Sequence, residues 1–411
     1  MSSISKVESP ANTVPSRRAA VAVTLCGICA FLELYCTQPL LPLITRIFHV
    51  SEASAGLTVS ATTLGVAISA PFFAALAERL PRKRVIVASL VALALPSILG
   101  ATATSLHQLV FWRMLQGFAV PGVIAVVVTY IGEEWPPQKL PFMMSLYVSG
   151  TALGGLLGRL SAGLLTEWFS WRIGFVVIGI TALCGTFVVW LWLPNGRRRP
   201  AAPPLGHGAL AAFPRQSMYL LRNRSLVATL LVGFNVLFCM VGVFSWITFR
   251  LSAAPFHLST GALSYLFLVY LVALFVTPGA GLWIGRRGMR TGIMLAISCS
   301  TTGVLLTLAP KLVIVVAGLS LVATGVLIAQ TVTQSYLRHA APPEGRVSAA
   351  GMYLTSYYLG GTAAGVVPGI FWHLGKWPAC AAFILLTQTC ALSVALWGWR
   401  TPSPSMTYAR Q

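Results

Sequence analysis

The sequence predicts an all-α integral membrane protein of twelve transmembrane helices in two pseudo-symmetric six-helix bundles. Three observations predict it: apolar runs recur along nearly the whole chain, basic residues crowd one side of them, and the second half repeats the first. Of 411 residues, 56% are hydrophobic and 9% charged, whereas soluble domains carry roughly 25% charged residues. Water is therefore not the solvent for most of this surface. The net charge is +20, and all eight acidic residues are Glu. A nucleic-acid binder would gather such cations as a patch on a soluble module. Here they lie in short segments between apolar runs, so the expected partner is the lipid bilayer, with no nucleic acid.

A helix crossing the hydrocarbon core needs about 20 apolar residues. Such runs fall at 19–42, 54–77, 85–104, 108–131, 142–166 and 173–193, then at 225–248, 261–284, 291–309, 312–336, 347–371 and 379–398. The one long connector, 194–223, is rich in Pro, Arg and Ala. It divides an N-terminal bundle (1–193) from a C-terminal bundle (224–411). Residues 1–18 are polar and end in Arg17 and Arg18; the apolar run after them is too long for a signal-peptide core and is expected to remain as the first span.

Orientation follows from the basic residues. Twenty-one of the 28 lysines and arginines fall on the side of the termini and five on the other. The positive-inside rule then places both termini and the central loop in the cytoplasm, with the chain multi-pass in a bacterial-type inner membrane. The remaining two, Arg113 and Arg159, fall inside spans. Tyr147, Gly154, Gly155, Gly163 and Trp171 recur 206 residues later as Tyr353, Gly360, Gly361, Gly369 and Trp377. Internal duplication of this kind is common in transporters.

At these residues the chain resembles the major facilitator superfamily. The family's loop between spans two and three reads G-x-x-x-D-R-x-G-R-[KR]-[KR]; residues 74–84 read AALAERLPRKR, with Glu78 for the acid, Ala74 and Pro81 for the glycines. The second copy keeps Gly281, Arg286, Gly288 and Arg290. Arg113-Met114-Leu115-Gln116-Gly117 is similar to the family's R-x-x-Q-G motif. The stretches Tyr35–Pro42, Gly154–Arg159 and Ser356–Gly360 resemble the YnfM-like group, near the arabinose-efflux and drug–proton antiporter permeases. The resemblance implies the MFS fold and secondary transport of a small-molecule substrate by alternating access. It further implies proton-coupled efflux by antiport, with the proton gradient as energy source, no cofactor, and a monomer.

Glu33 is the one carboxylate inside a span, and a charge at mid-bilayer is costly enough that such residues line cavities or pair. At about 1.5 Å per residue, Glu33 lies roughly 12 Å deep, Arg113 roughly 9 Å and Arg159 roughly 12 Å. Glu33 is therefore expected to be the proton-coupling carboxylate, with Arg113 and Arg159 as counter-charges; a static ion pair is the plainer alternative. Two readings of Arg159 stand. It replaces a glycine of the repeat stripe Gly361, Gly365, Gly369, and it either faces the cavity and favours an anionic solute, or snorkels to the outer interface.

Glu78 and Arg79 are expected to form a cytoplasmic gate against the start of the eleventh span, with Arg82 and Arg84 holding lipid phosphate or neighbouring helices. Gln38, Asn235, Gln330, Gln334, Tyr357 and Tyr358 lie on spans that line the cavity in the resembled family, though each is also a candidate interhelical hydrogen bonder. Trp168, Trp171, Trp372 and Trp377 sit near span ends and are expected in the interfacial belt. The eight cysteines all lie in apolar runs and are expected to pack as small apolar residues. No catalytic constellation, phosphate loop or His/Cys metal spacing is present, so neither an enzyme nor a metal site is expected. Two further functions fit the same sequence: uptake of an organic anion, and a transporter-like sensor or scaffold that moves nothing.

Overall fold

The computed structural model describes residues 17–76, 80–196, 219–342 and 345–399. All regular structure among them is helical, as hydrocarbon requires of any open chain that crosses it. In the first half, Arg17–Leu34 continued by Leu41–Phe48 forms span 1, followed by Glu52–Leu76, Arg82–Gly100, Leu106–Glu134, Leu140–Trp168 and Trp171–Trp192 as spans 2 to 6. In the second half, Arg224–Ser252 is span 7, and Thr260–Tyr265 continued by Val269–Arg287 is span 8. Met289–Leu306 and Leu312–Ala340 are spans 9 and 10. Arg346–Val366 runs on into Pro368–Gly398, whose backbone leaves helical geometry at Gly375 and Lys376. That bend separates span 11 from span 12. The expected connector at 194–223 lies mostly outside the described residues.

Local chemistry sets the helix ends. Ser105, Ser170 and Ser259 each accept a backbone N–H three residues on, and Asn223 accepts from Ser225 and Leu226, which satisfies donors that a helix start leaves open. Gly288, at φ 90°, ends span 8, in a region open to glycine but strained for other residues.

Span 1 breaks at Leu34. Pro39 and Pro42 have no N–H to donate and clash with the preceding turn, so the chain passes through a 3-10 turn, Gln38–Leu40, before resuming. Carbonyls at the broken end then need partners from elsewhere in the protein. Span 7, its repeat counterpart, has no proline and stays helical from Arg224 to Ser252.

The halves meet at the end opposite the termini. Gly56 of span 2 lies against Gly365 of span 11 so closely that a Cβ on Gly56 would land on the Gly365 carbonyl. Beside it, Ser60 Oγ donates to Thr362 O at 2.6 Å, and Thr63 and Thr362 hydroxyls pair at 3.1 Å. Gly163 of span 5 packs on Ser264 of span 8. Two carboxylates of the first half also reach across: Glu52 accepts from Trp372 Nε1 at 2.9 Å and Glu167 from the Gly261 N–H at 2.9 Å. Toward the other end, Gly351 of span 11 faces open space. Gly56→Val is therefore expected to pry spans 2 and 11 apart. Spin labels at Ser51 and His373 would report a longer distance; an unchanged distance would show that the glycine contact does not govern closure.

The tryptophans depart from expectation. Trp168 is exposed, but Trp171, Trp372 and Trp377 are 6%, 5% and 1% exposed. Trp372 packs with Trp246 and Phe249, and Trp377 Nε1 donates to Thr307 Oγ1 at 3.1 Å. The span 11–12 reversal holds Trp372 and Trp377 in the closed end, and Trp171, at the start of span 6, is covered by Phe48 and Phe175. The cysteines are all free, six of them at least partly buried.

Candidate functional site

The break in span 1 organises the polar interior, with one constellation on each of its faces. On the first face, Arg113 of span 4 is completely buried. Its Nη1 donates to Glu33 O at 2.8 Å, Nη2 to Leu34 O at 2.6 Å, and Nε to Thr58 O of span 2 at 3.2 Å. Nη1 also reaches Gln116 Oε1 at 2.6 Å, one turn along its own helix. The fork of a guanidinium suits this task, since its five donors lie in one plane. Arg113 thus clamps the carbonyls that the helix break sets free.

This corrects the expected ion pair. Arg113 hydrogen-bonds the backbone of Glu33 and not its carboxylate. The carboxylate instead receives Gln116 Nε2 on Oε2 at 3.4 Å, while Oε1 has no hydrogen-bond partner and the residue is fully buried. Gln116 also donates to Leu93 O of span 3 at 3.3 Å. Glu33 sits inside the first bundle, with Arg113 and Gln116 beside it and Arg159 elsewhere.

On the second face, Arg159 of span 5 is 3% exposed, so it does not snorkel to the interface. Its Nε donates to Gln38 Oε1 at 2.7 Å and Nη1 to Gly155 O at 2.7 Å. Gln38 Nε2 in turn donates to Ser245 Oγ of span 7 at 3.1 Å, which ties the constellation to the second half. The guanidinium lies 4.7 Å from the Tyr35 ring, 5.0 Å from Phe267 and 5.3 Å from Tyr270. Cation–π contacts of this kind partly replace lost hydration, but among the described residues no carboxylate pairs with it. Nη2 is buried without a partner, and so are the hydroxyls of Tyr147, Tyr270 and Tyr353. A buried polar group left unpaired costs about 1–3 kcal/mol, more if charged.

Tyr357 and Tyr358 join this second constellation. The Tyr357 ring packs against Tyr353 at 5.9 Å and Tyr358 at 5.4 Å. The result is a donor-rich, acid-poor patch where spans 1, 5, 8 and 11 converge. Asn235 is not part of it: it lies within the second bundle, beside Cys239, Ser300 and Gln388. Gln330 is half-buried and Gln334 exposed on span 10. Sequence reading passed over Phe267 and Tyr270, whose α-to-3-10 step in span 8 carries them onto Arg159. The repeat pair Tyr147 and Tyr353 was visible as a signal.

At the terminus-bearing end, Arg82 forms a two-pronged pair with Glu133 of span 4, at 3.1 and 3.3 Å, and so holds a neighbouring helix. Arg84 is exposed. Glu78 and Arg79 lie outside the described residues. Span 11 begins at Arg346, after Gly345.

Residues 23–365 match the Major Facilitator Superfamily. The inner membrane transport protein YnfM of Escherichia coli (strain K12) is 32% identical over 377 residues, covering 92% of this chain and 89% of the relative. The uncharacterized MFS-type transporter YybF of Bacillus subtilis (strain 168) is 31% identical over 382 residues, covering 93% and 92%. Among solved structures, a bacterial homolog to the human lysosomal transporter Spinster, in an inward-facing and unoccupied conformation, superposes with a TM-score of 0.70 at 15% identity. It covers 92% of this chain and 94% of that one, a likeness of fold alone. With the family match running through eleven of its spans, the chain belongs to the Major Facilitator Superfamily and is a multi-pass inner-membrane transporter.

Proposed function

We propose that this transporter exports a small organic anion in exchange for protons, with Arg159 holding the anionic group of the solute. The observation that carries the reading is the buried Nη2 of Arg159, which has no partner while the hydroxyl of Tyr270, whose ring lies 5.3 Å from the guanidinium, is likewise unpaired. A carboxylate entering there would take a charge-assisted hydrogen bond from the guanidinium and a further bond from Tyr270. A cation would meet the like charge of Arg159 instead.

Both termini are cytoplasmic in this reading, as the basic residues favour, so the halves are closed at the external end and open inward. The protein works as a monomer without a cofactor, and Glu33 carries the proton. The broken turn after Leu34 links the two events. Glu33 and Arg113 hold one face of it, while Tyr35 and Gln38 touch Arg159 on the other. A solute that pulls on Arg159 moves Gln38 and the turn, and with them the carbonyls clamped by Arg113 next to the Glu33 carboxyl. Exchange of one anion leaving for one proton entering carries two charges down an inside-negative potential, about 4.6 kcal/mol per 100 mV.

Proteoliposomes test this with an aromatic carboxylate, its neutral amide and a cationic analogue, each with and without a pH gradient. The carboxylate alone is expected to move, and faster with the gradient; equal flux of the cation would overturn the anion assignment. Glu33→Gln is expected to retain solute exchange at zero gradient and to lose gradient-driven accumulation. Accumulation at the wild-type rate in that variant would remove Glu33 from the coupling step.

A further inference from the structure

A second site lies outside the transport path described above. Between the ends of spans 7, 8, 9 and 10, on the terminus-bearing side, is a cavity of about 1100 Å³. Arg222, Arg224, Arg287, Arg290 and His339 line it, and among the described residues no carboxylate does. Gly281, Gly285 and Gly288 leave its wall open, since a Cβ at any of them would meet nothing within 4 Å. Arg290 donates from one arm to the Leu396 carbonyl, yet its Nε is buried without a partner.

The surroundings set the depth of this cavity. Arg287 lies over the Trp283 ring at 5.6 Å and Arg224 over Trp397 at 5.1 Å. Trp283 and Trp397 are 39% and 70% exposed on the outer surface. Exposed indole rings at span ends sit at headgroup level, which puts the arginines where lipid phosphates lie. Ile284, Met289 and Val332 supply apolar wall beside the hydroxyls of Thr331 and Ser335, contact for the first carbons of an acyl chain next to its headgroup.

We propose that this cavity binds the phosphodiester headgroup of an anionic lipid from the adjoining leaflet, with Arg222, Arg287 and Arg290 on the phosphate. Guanidinium forks match phosphate oxygens, and basic pockets between spans bind such headgroups. The assignment is independent of the solute and of the direction of transport.

Native mass spectrometry of the delipidated protein in detergent tests it, with phosphatidylglycerol, phosphatidylcholine, and soluble glycerophosphate as competitor. Phosphatidylglycerol should be retained in preference to phosphatidylcholine, and R222Q/R287Q should weaken it roughly thirtyfold, about fivefold for each surface arginine. R222K/R287K keeps the charge but not the fork and should bind between the wild type and R222Q/R287Q, which separates lost attraction from lost folding. Equal retention of phosphatidylcholine, or wild-type binding by R222Q/R287Q, would overturn the site. Displacement by glycerophosphate as effective as that by the lipid would overturn the lipid assignment in favour of a free phosphate ester.

Discussion

Arg159→Gln is expected to abolish transport of the anionic solute while leaving the protein as stable as before, or more so. Truncating one partner of a desolvated, hydrogen-bonded charge pair costs about 2–5 kcal/mol, roughly 30- to 4000-fold in affinity. The cost falls on the loaded state, because in the empty protein Arg159 is a buried cation with no carboxylate and an unpartnered Nη2. Removing it relieves that burial. Flux measured beside thermal unfolding separates the two: lost flux with an unchanged or raised melting temperature is the expected pattern. Lost flux with a collapsed melting temperature would make Arg159 a structural post. Arg159→Lys should recover only part of the activity, since an ammonium keeps the charge but loses the planar fork and its stacking on Tyr35.

Arg113 should behave in the opposite way. Arg113→Leu strips the donors from Glu33 O, Leu34 O, Thr58 O and Gln116 Oε1 at once. At about 1–3 kcal/mol for each buried acceptor left unpaired, with some relaxation, the loss is about 3–6 kcal/mol. For a chain of this length a fall in melting temperature of roughly 3–7 °C follows. Arg113→Lys should rescue little, because one ammonium cannot reach carbonyls of span 1 and span 2 together. If Arg113→Leu melts like the wild type, the broken turn is held by something other than this clamp. The two arginines therefore divide the work: Arg113 holds the break from within the first bundle, and Arg159 presents an unused donor where the halves converge.

The spans, the duplication and the family were legible in the residues because hydrocarbon permits so few backbone solutions. The bonding of Glu33 was not. Depth counted along straight helices puts Glu33, Arg113 and Arg159 at one level and suggests one cluster, but Pro39 and Pro42 break the helix just after Leu34. The freed carbonyls attract Arg113, while Tyr35 and Gln38 turn to Arg159 on the other face. A pair of prolines five and eight residues past Leu34 was the available signal, and it outweighed charge matching. Gln38 lies at the junction, bonded to Arg159 and Ser245, whereas Asn235 lies within its own bundle, a choice of helix face that polarity alone does not fix. Trp171, Trp372 and Trp377 were misjudged for a related reason, since proximity to a span end does not say whether that end is closed against a partner helix. Phe267 and Tyr270 look like ordinary lipid-facing aromatics until the 3-10 step at Leu266–Leu268 sets their facing.

The most direct test compares binding of one aromatic carboxylate with that of its isosteric amide, by tryptophan fluorescence, on the wild type and on Arg159→Gln. The wild type should favour the carboxylate by about a hundredfold, within the range of a desolvated charge pair, and the variant should bind both alike and weakly. Equal binding of both compounds by the wild type, or a carboxylate preference that survives in Arg159→Gln, would contradict the claim that this guanidinium holds the solute.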